Sequence, residues 1–266
     1  MDLGIAGKVA FVSGGSMGMG RATAELFSRE GCKVAIAALP DHKDSIDETV
    51  EALRASGAQA VGVPADLTVK QDVDRAIATC ADAFGVPDIV VANVNGPGPG
   101  YFNDVSDDDF VKSFQHMAMS MVYLVRATLP HMREQHWGRI VTLNSAAAKE
   151  PVTEIPHILA NTARPSAVTL NKSLADEFGR DGITINTIAT GYIGTPRMRS
   201  YWERMAAERG TTVESEVEKL TASIPLRRVG TPEEMAGVVV FLCSQLGGFV
   251  TGEFIHVDGG QHRSAW

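Results

Sequence analysis

A cluster of glycines near the N-terminus has the spacing of a phosphate-binding turn. Ser13, Gly14, Gly18 and Gly20 form the pattern S-G-x-x-x-G-x-G directly after the apolar run VAFV at 9–12. A helical pattern follows Gly20, so the motif predicts a buried strand, a glycine turn and a helix. The dipole and free N–H groups of a helix N-terminus favour an anion, and glycine lets the backbone approach it closely. The motif therefore predicts a site for a dinucleotide pyrophosphate, against the alternative of a tight turn without a ligand.

Other polar residues follow predicted strands in the same way. Asp66, Asn93, Ser145 and Thr195 each lie at or just after the end of an apolar segment. In a doubly wound parallel sheet, ligands bind beyond the carboxyl ends of the strands, which lie along one edge. We therefore expect these side chains and the glycine turn to converge on one dinucleotide site.

Strands and helices alternate along the whole chain. The strands are expected at 9–12, 33–39, 59–64, 88–93, 139–145, 183–188 and 253–257. After a first helix behind Gly20, further helices are expected at about 44–56, 69–84, 107–136, 158–179, 198–220 and 233–244. This alternation predicts right-handed βαβ units. The fold class is therefore α/β, with one domain over residues 1–266 and a doubly wound parallel sheet of about seven strands between two helical layers.

Composition argues against several classes of protein. The 266 residues carry a formal net charge of −8 and scattered basic residues, which argues against a nucleic-acid partner. No apolar run approaches the ~20 residues of a membrane span, and no signal peptide is visible, so we expect a cytoplasmic protein without a membrane partner. Cys32, Cys80 and Cys243 lack the spacing of metal ligands, so we expect buried free thiols and no metal site.

Taken together, the motifs resemble the short-chain dehydrogenase/reductase family over nearly the whole chain. The glycine motif, Asp66, Asn93 and Ser145 match family positions, as do TGYIGT at 190–195, RVGTPEE at 228–234 and VDGG at 257–260. The resemblance implies a three-layer Rossmann-type fold, a nicotinamide cofactor and a small-molecule substrate. It also implies assembly as a homotetramer or homodimer.

The resemblance further implies which residues bind the cofactor, NAD(P)(H). They are Ser13, Gly14, Ser16, Met17, Gly18, Met19, Leu39, Asp66, Leu67, Asn93, Arg164, Gly191, Ile193 and Thr195. The acidic residue that selects NAD would stand near Ala38 and is absent, which removes repulsion of a 2′-phosphate. His42 and Lys43 are candidates to contact that phosphate, whereas Asp41 could instead bind a ribose diol. On balance these positions favour NADP(H).

The catalytic pattern departs from that of the family. Its members protonate a carbonyl substrate with the tyrosine of a Y-x-x-x-K pair, and the segment LNKSLADEFG fixes the register here. It places Ala160 at the tyrosine position and Arg164 at the lysine position. The family's proton-relaying asparagine is replaced by Met117 or His116. Ser145 alone is retained, so the chain resembles a divergent branch in which A-N-x-x-R replaces Y-x-x-x-K.

The residues that are left favour stabilisation of an anion over donation of a proton. Arg164 keeps its charge near neutral pH, so it cannot act as a general acid, but with Ser145 it can hydrogen-bond an oxyanion. This pair suits hydride addition to a conjugated C=C, or ketone reduction with another acid. The candidates for that acid are His157, Tyr192, His116 and Lys149. We favour His157, which lies just before the helix of Ala160, and we expect Tyr192 to face the nicotinamide pocket.

A substrate lid is expected at about 196–224, because this segment of the family closes over the substrate. Its mixture of apolar and basic residues suggests an aromatic or acyl acid as substrate, although an amphipathic helix packed on its own domain would show the same mixture. Tyr101 and Phe102, in the glycine- and proline-rich loop, are expected to form the opposite wall.

Three functions are compatible with the sequence. The first is an NAD(P)-dependent oxidoreductase that reduces a carbonyl or conjugated C=C of a small metabolite. The second is a non-redox isomerase, dehydratase or cyclase that uses Ser145 and Arg164 as an anion hole. The third is a non-catalytic dinucleotide-binding protein. Retention of the cofactor motifs together with Ser145 favours the oxidoreductase.

Overall fold

Seven parallel strands form one sheet in the computed structural model, which describes residues 1–94, 96–151 and 156–264. The strands are β1 Val9–Ser13, β2 Lys33–Ala38, β3 Ala60–Pro64, β4 Ile89–Asn93, β5 Gly138–Ser145, β6 Ile183–Thr190 and β7 Phe254–Val257. Their order is β3-β2-β1-β4-β5-β6-β7, with every neighbouring pair parallel. The predicted α/β fold with a doubly wound parallel sheet is therefore confirmed.

Helices cover both faces of this sheet. They are α1 Gly18–Arg29, α2 Lys43–Ala55, α3 Lys70–Phe84, α4 Asp107–Phe114, α5 Ser120–Glu134, α6 Ile158–Phe178, α7 Pro196–Arg209, α8 Val213–Thr221 and α9 Pro232–Cys243. Alternate residues of β1 belong to different apolar clusters. Val12 packs in a cluster with side chains of α1, α2 and α9, whereas Phe11 packs in one with side chains of α3 and α5. Burial on both faces explains why the strands are continuous apolar runs.

The winding of the sheet reverses between β1 and β4. The chain builds outward from β1 to β3, then returns to β4 on the other side of β1. The Ser13 Oγ, at the end of β1, accepts a hydrogen bond from the main-chain N–H of Asn93 at 2.8 Å. A crevice opens beyond the strands at such a reversal, and this is where ligands bind in doubly wound sheets.

Two predicted helices depart from a regular α-helix: the one at 107–136 is helical from Asp107 to Glu134 but changes its winding midway, whereas the expectation of one continuous helix at 198–220 was wrong. The first contains a π-turn at Gln115–Met119 between α4 and α5. The second is interrupted at Gly210, which takes a left-handed conformation (φ 63°) and ends α7. Thr212 then caps α8 by accepting the N–H of Ser215 at 3.2 Å. A left-handed glycine followed by a threonine cap is a strong signal for a helix boundary.

The three cysteines are free and buried, as predicted. Burial raises the pKa of Cys32 and Cys80 to about 12, so both are neutral thiols at physiological pH. None of the helices in the described part of the chain is long and apolar enough to cross a membrane.

Candidate active site

A cleft of about 790 Å³ opens at the carboxyl edge of the sheet. Its volume is in the range of small-molecule and cofactor sites. Most of the predicted site residues line it, namely Gly14, Ser16, Met17, Gly18, Met19, Leu39, Asp66, Leu67, Asn93, Ser145, His157, Arg164, Gly191, Tyr192 and Thr195. The strand ends thus bring together residues that are far apart in the chain.

Ser13 and Ile193, which the family resemblance placed among the cofactor-binding residues, do not line the cleft. Ser13 is fully buried and joins β1 to β4 through its bond with Asn93. Ile193 is buried in the apolar cluster beside α9, and the next residue, Gly194, donates its N–H to Gly230 at 2.9 Å. Both residues therefore lie beneath the residues that line the cleft and do not contact its interior.

The glycine turn forms a cradle at the N-terminus of α1. Gly14 has a positive φ of 58°, and a Cβ there would lie 2.6 Å from the carbonyl oxygen of Asn93. A Cβ on Gly20 would lie 2.1 Å from the carbonyl oxygen of Gly14, so neither position accepts a side chain. No side chain of the residues that the structure describes caps α1, and the first turn of this helix contains no acidic residue. Its free N–H groups and dipole therefore fit an anionic group such as a pyrophosphate.

The N-terminus of α7 meets that of α1 across the cleft. Thr195 caps α7 by accepting the N–H of Met198, and its methyl carbon lies 3.2 Å from where a Cβ on Gly18 would stand. The first turn of α7 also contains no acidic residue, and it carries Arg197. Two helix dipoles thus contribute positive potential to the same part of the cleft.

Asp66, Leu39 and His42 line the opposite end of the cleft. The Asp66 carboxylate accepts hydrogen bonds from the N–H and hydroxyl of Thr68 at 2.9 and 2.8 Å, which fixes its orientation. Lys43 and Asp41 are not among the lining residues, and the Lys43 ammonium is bonded to Asp47. Of the two proposed phosphate contacts, His42 therefore has the more favourable position.

Ser145 ends β5 with its hydroxyl at the cleft. The Oγ accepts the N–H of Ala147 at 3.2 Å, which leaves the hydroxyl hydrogen available to a ligand. Asn144, which sequence reasoning missed, lies beside it and also lines the cleft. Its Oδ1 accepts the N–H of Ser145 at 2.8 Å, and its Nδ2 donates to the main-chain oxygen of Arg164 at 3.3 Å.

Arg164 extends from α6 into the same region. Its Nη2 lies 3.0 Å from where a Cβ on Gly96 would stand, so the glycine-rich loop packs closely against the guanidinium. Among the described residues, no carboxylate forms an ion pair with Arg164, and its buried Nε has no hydrogen-bond partner. Burial, and then the charge of Arg197, lower the pKa of Arg164 to about 10. The side chain is therefore a cation at neutral pH.

Ala160, at the position of the family's tyrosine, is 1% exposed and is not among the lining residues. The next residue, Asn161, does line the cleft, and its buried Oδ1 has no partner among the described residues. Pro165 lacks the N–H that would bond to the main-chain oxygen of Asn161 within α6. The Asn161 side chain can therefore hydrogen-bond a ligand in the cleft. Sequence reasoning had considered only neighbouring residues of this helix.

Three of the candidate proton donors line the cleft, namely His157, Tyr192 and His116. Lys149 is not among the lining residues. The π-turn carries His116 and Met117, and both contribute to the wall. Burial lowers the pKa of His157, with further effects from Arg164 and Arg197. His157 is therefore neutral at neutral pH and carries its second proton only in more acidic solution.

The predicted lid lines the cleft mainly with residues at its two ends. Within 196–224, all of which the structure describes, the lining residues are Pro196, Arg197, Met198 and Ser223. Trp202 is 5% exposed, and α7 packs against α8. Tyr101 and Phe102 are 64% and 71% exposed and are not among the lining residues, so the expectation that they form a wall was wrong. That loop contributes Gly96, and Asn95 lies outside the described residues.

The C-terminal segment forms part of the cleft wall that sequence reasoning missed. Gln261, His262 and Arg263 line the cleft. The His262 ring stacks on His256 of β7, with centroids 4.0 Å apart and planes at 7°. The chain holds this segment through Asp258, whose carboxylate accepts the N–H groups of Gly260 and His262.

Known proteins resemble this chain over nearly its full length. The family model described as "Enoyl-(Acyl carrier protein) reductase" matches residues 14–262. The short-chain reductase protein NovJ of Streptomyces niveus is 33% identical over 253 residues, which cover 95% of this chain and 93% of that protein. Dehydrogenase/reductase SDR family member 4 of Oryctolagus cuniculus is 32% identical, with 96% and 94% covered.

A solved structure has nearly the same fold. L-Sorbose reductase from Gluconobacter frateurii, in complex with NADPH and L-sorbose, superposes with a TM-score of 0.94 at 28% sequence identity. The match covers 99% of this chain and 100% of that one.

Proposed function

The chain belongs to the short-chain dehydrogenase/reductase family, and from this premise we propose that it is an NADP(H)-dependent oxidoreductase that reduces a carbonyl or a conjugated C=C of a small metabolite. The observation that carries the proposal is one continuous cleft, in which an uncapped helix N-terminus with a glycine cradle leads to Ser145 and Arg164.

The residues of the cleft fit a nicotinamide dinucleotide. The α1 N-terminus suits a pyrophosphate, and the oriented Asp66 carboxylate suits a hydrogen-bond donor such as an adenine amino group. Leu39 introduces no negative charge, and His42 lies where a 2′-phosphate can meet it. L-Sorbose reductase was solved with NADPH, which supports the same preference here. When bound, the nicotinamide supplies or accepts a hydride.

Ser145 and Arg164 bind and stabilise the oxygen that gains negative charge. The Ser145 hydroxyl donates one hydrogen bond, and the guanidinium adds charge-assisted bonds. Arg164 cannot release a proton usefully at neutral pH, so protonation of the product falls to another group or to water. His157 is neutral under these conditions, so we propose that it donates a proton efficiently only as the pH falls.

Loss of the family's tyrosine favours substrates that need an anion hole more than a strong proton donor. An enone is such a substrate, because its reduction produces an enolate whose oxygen Ser145 and Arg164 stabilise. A non-redox isomerase or dehydratase would use the same pair of residues. We prefer the oxidoreductase because the cleft keeps a cradle for the pyrophosphate and the N-termini of α1 and α7, which favour an anion.

Titration with NADPH and NADH tests the cofactor first. We expect enhancement of reduced-nicotinamide fluorescence and a rise in Tm, both at lower concentrations of NADPH than of NADH. A panel of ketones and enones is then screened for NADPH oxidation. Absence of binding by either nucleotide at near-millimolar concentration would contradict the oxidoreductase, and turnover without nucleotide would favour the non-redox enzyme.

Substitution of Arg164 then tests whether this side chain takes part in the reaction. Arg164→Met is expected to lower kcat/KM by about 10²- to 10³-fold, the usual effect of removing a donor to an oxyanion. The matched control is Arg199→Met, since Arg199 lies in the first turn of α7 but is exposed and is not among the lining residues. Equal activities of the two variants would exclude Arg164 from the reaction.

The family resemblance also leads us to infer assembly as a homotetramer or homodimer. Phe249 and Leu246 are exposed apolar side chains in the segment before β7. Such residues are common at subunit interfaces. Light scattering on the full chain measures the oligomeric state, and a monomer at working concentration would contradict the inference.

A further inference from the structure

The amide of Asn161 lies at the cleft with a hydrogen-bonding group that no neighbour uses. Asn161 lines the cleft, and its Oδ1 is buried with no hydrogen-bond partner among the described residues. Arg164, three residues later, also lines the cleft, and its buried Nε likewise lacks a partner in this part of the chain. The two side chains therefore do not satisfy each other, and each keeps the capacity to bind a further group.

One face of α6 presents this pair to the cleft. Residues three apart in a helix lie on the same side, with Cβ atoms about 5–6 Å apart. The neighbours Ala160 and Ala163 are buried instead, on the side of α6 that faces the core. The N–H of Asn161 donates to the main-chain oxygen of His157 at 2.8 Å, so the residue belongs to the regular first turn. The helix therefore sets the spacing between the amide and the guanidinium of Arg164.

The end of β5 is joined to this part of α6. Asn144 Nδ2 donates to the main-chain oxygen of Arg164 at 3.3 Å, and Asn144 Oδ1 accepts the N–H of Ser145 at 2.8 Å. The proposed oxyanion donors thus lie on segments that one side chain connects. When Ser145 and Arg164 bind a reacting oxygen, the neighbouring atoms of the same molecule come within reach of Asn161.

The unused atoms indicate which chemical group binds there. Arg164 has only donors, and the Ser145 Oγ already accepts the N–H of Ala147, so both favour an oxygen that accepts hydrogen bonds. Asn161 Oδ1 adds an acceptor, and an acceptor left buried without a donor is unfavourable. A hydroxyl fits this amide, because it can donate to Oδ1 and can also accept from Nδ2. An alkyl group can do neither, and a carboxylate lacks the donor.

We propose that the substrate is a hydroxy ketone, whose carbonyl oxygen binds Ser145 and Arg164 while the hydroxyl on the adjacent carbon donates to Asn161 Oδ1. This inference rests on the proposed reductase function and adds the class of substrate. Asn161 is then a specificity-determining residue. In the reduction, the carbonyl carbon gains a hydride from NADPH and the carbonyl oxygen gains a proton, which gives a vicinal diol. The hydroxyl that Asn161 binds is unchanged.

Three small ketones test the proposal by kinetics, with NADPH as the reductant. Hydroxyacetone carries the hydroxyl, methoxyacetone keeps the electron-withdrawing oxygen but cannot donate, and butanone has a methyl group in place of the hydroxyl. We expect kcat/KM for hydroxyacetone to be about 3- to 10-fold higher than for either of the others, the effect of one hydrogen bond. Asn161→Leu, which keeps the size of the side chain but removes the amide, is expected to abolish this preference.

Thr162→Val is the control, because Thr162 lies in the same turn of α6 but is exposed and is not among the lining residues. It is expected to keep the preference for hydroxyacetone. Equal kcat/KM for hydroxyacetone and methoxyacetone in the unmodified protein would overturn the proposal while leaving the reductase function intact. An equal loss of the preference in both variants would also overturn it, since it would indicate a general distortion of the helix.

A hydroxyl of the nicotinamide ribose is another source of the same hydrogen bond, and titration with NADPH distinguishes the two. We expect the Kd for NADPH to change by less than about twofold in Asn161→Leu, well below the effect of a lost hydrogen bond. A rise of about tenfold in this Kd, with the preference for hydroxyacetone retained, would assign the amide to the cofactor and overturn the proposal.

Equilibrium binding supplies a readout that does not need turnover. Saturation-transfer NMR titrations of the full chain with NADPH compare propylene glycol with sec-butanol, the alcohols that correspond to hydroxyacetone and butanone. We expect a lower Kd for propylene glycol, and loss of this difference in Asn161→Leu but not in Thr162→Val. If no ketone is reduced but the difference is found, the reductase function fails and the hydroxyl site stands. Equal Kd values for the two alcohols in the unmodified protein would overturn the hydroxyl site.

Discussion

The side chain of Asn144 connects the two residues proposed to stabilise the oxyanion, because it donates to the main-chain oxygen of Arg164 at 3.3 Å. The same side chain accepts the N–H of Ser145 at 2.8 Å. Asn144 thus joins the end of β5 to the middle of α6. This amide therefore links the two main-chain segments that carry the Ser145 hydroxyl and the guanidinium.

Asn144→Ala is therefore expected to lower kcat by about tenfold, since it removes both bonds and misplaces an oxyanion donor. The affinity for NADPH should change less, because neither hydrogen bond of Asn144 involves the glycine cradle. Steady-state kinetics and fluorescence titration measure the two effects. Asn144→Asp keeps an acceptor for Ser145 but cannot donate to Arg164, so full activity in that variant would show that the bond to α6 is unimportant.

The fold was predictable because most of its strands are continuous apolar runs that alternate with helical patterns. All seven strand positions agree with the predicted ones to within two residues at either end. The π-turn at Gln115–Met119 was not predictable, because an added residue in a helical turn leaves the apolar periodicity of the flanking helices nearly unchanged. Gly210 did carry a signal, namely a glycine followed by a threonine cap, which the length of the charged segment obscured.

The glycine cradle gives a prediction about backbone geometry. Gly14→Ala is expected to lower both Tm and NADPH affinity, because φ is positive and the added Cβ would clash with Asn93. Gly237→Ala is the control, since Gly237 lies in α9 with nothing within 4 Å of an added Cβ. That variant should be more stable by roughly 0.5–1 kcal/mol, with unchanged affinity. Thermal unfolding and fluorescence titration measure both outcomes, and an unchanged Gly14→Ala would contradict the assigned role of the turn.

The end of β2 gives a prediction about cofactor choice. Leu39→Asp is expected to weaken NADPH binding by about 10- to 100-fold, because the carboxylate would repel a 2′-phosphate. NADH, which lacks that phosphate, should bind at least as well as before. Competitive titration of the two nucleotides measures the ratio.

The variants Lys43→Met and His42→Ala test which of the two side chains contacts the 2′-phosphate of NADPH. Because Lys43 is bonded to Asp47 and does not line the cleft, its exchange should leave the NADPH preference unchanged. His42→Ala, in contrast, is expected to reduce the preference. A reversed result would mean that Lys43, and not His42, contacts the phosphate.

The site residues were predictable where a polar residue stands at the end of an apolar strand, as Asp66, Asn93 and Ser145 do. It was less predictable where the contribution depends on tertiary packing. Tyr101 and Phe102 were expected to form a wall of the cleft, yet the loop presents them to solvent. His262 has no motif of its own, and it reaches the cleft because the segment after β7 folds back onto His256. Ordinary helical spacing gave the position of Arg164 but not the burial that lowers its pKa.

The stacked pair of histidines gives a prediction about stability and pH. Both ring nitrogens of His256 are buried and have no hydrogen-bond partner in the described part of the chain. Burial is the main cause that lowers the pKa of His256, followed by the charge of His262, while Asp258 and Glu150 act in the opposite direction. The folded protein therefore binds this proton less readily than the unfolded chain, in which histidine has a pKa of about 6.5.

The stabilising effect of the neutral ring is accordingly complete above about pH 7.5 and is lost progressively as the pH falls through about 6.5. We expect Tm to fall between about pH 7.5 and 5.5, and His256→Phe, which keeps an aromatic ring on His262 but cannot titrate, to reduce that fall. His136→Asn, at an exposed position, is the control and should leave the slope unchanged. Thermal unfolding of the three proteins over this range measures the effect. If His256→Phe has the same slope as the unmodified protein, protonation of His256 does not limit the acid stability of the fold.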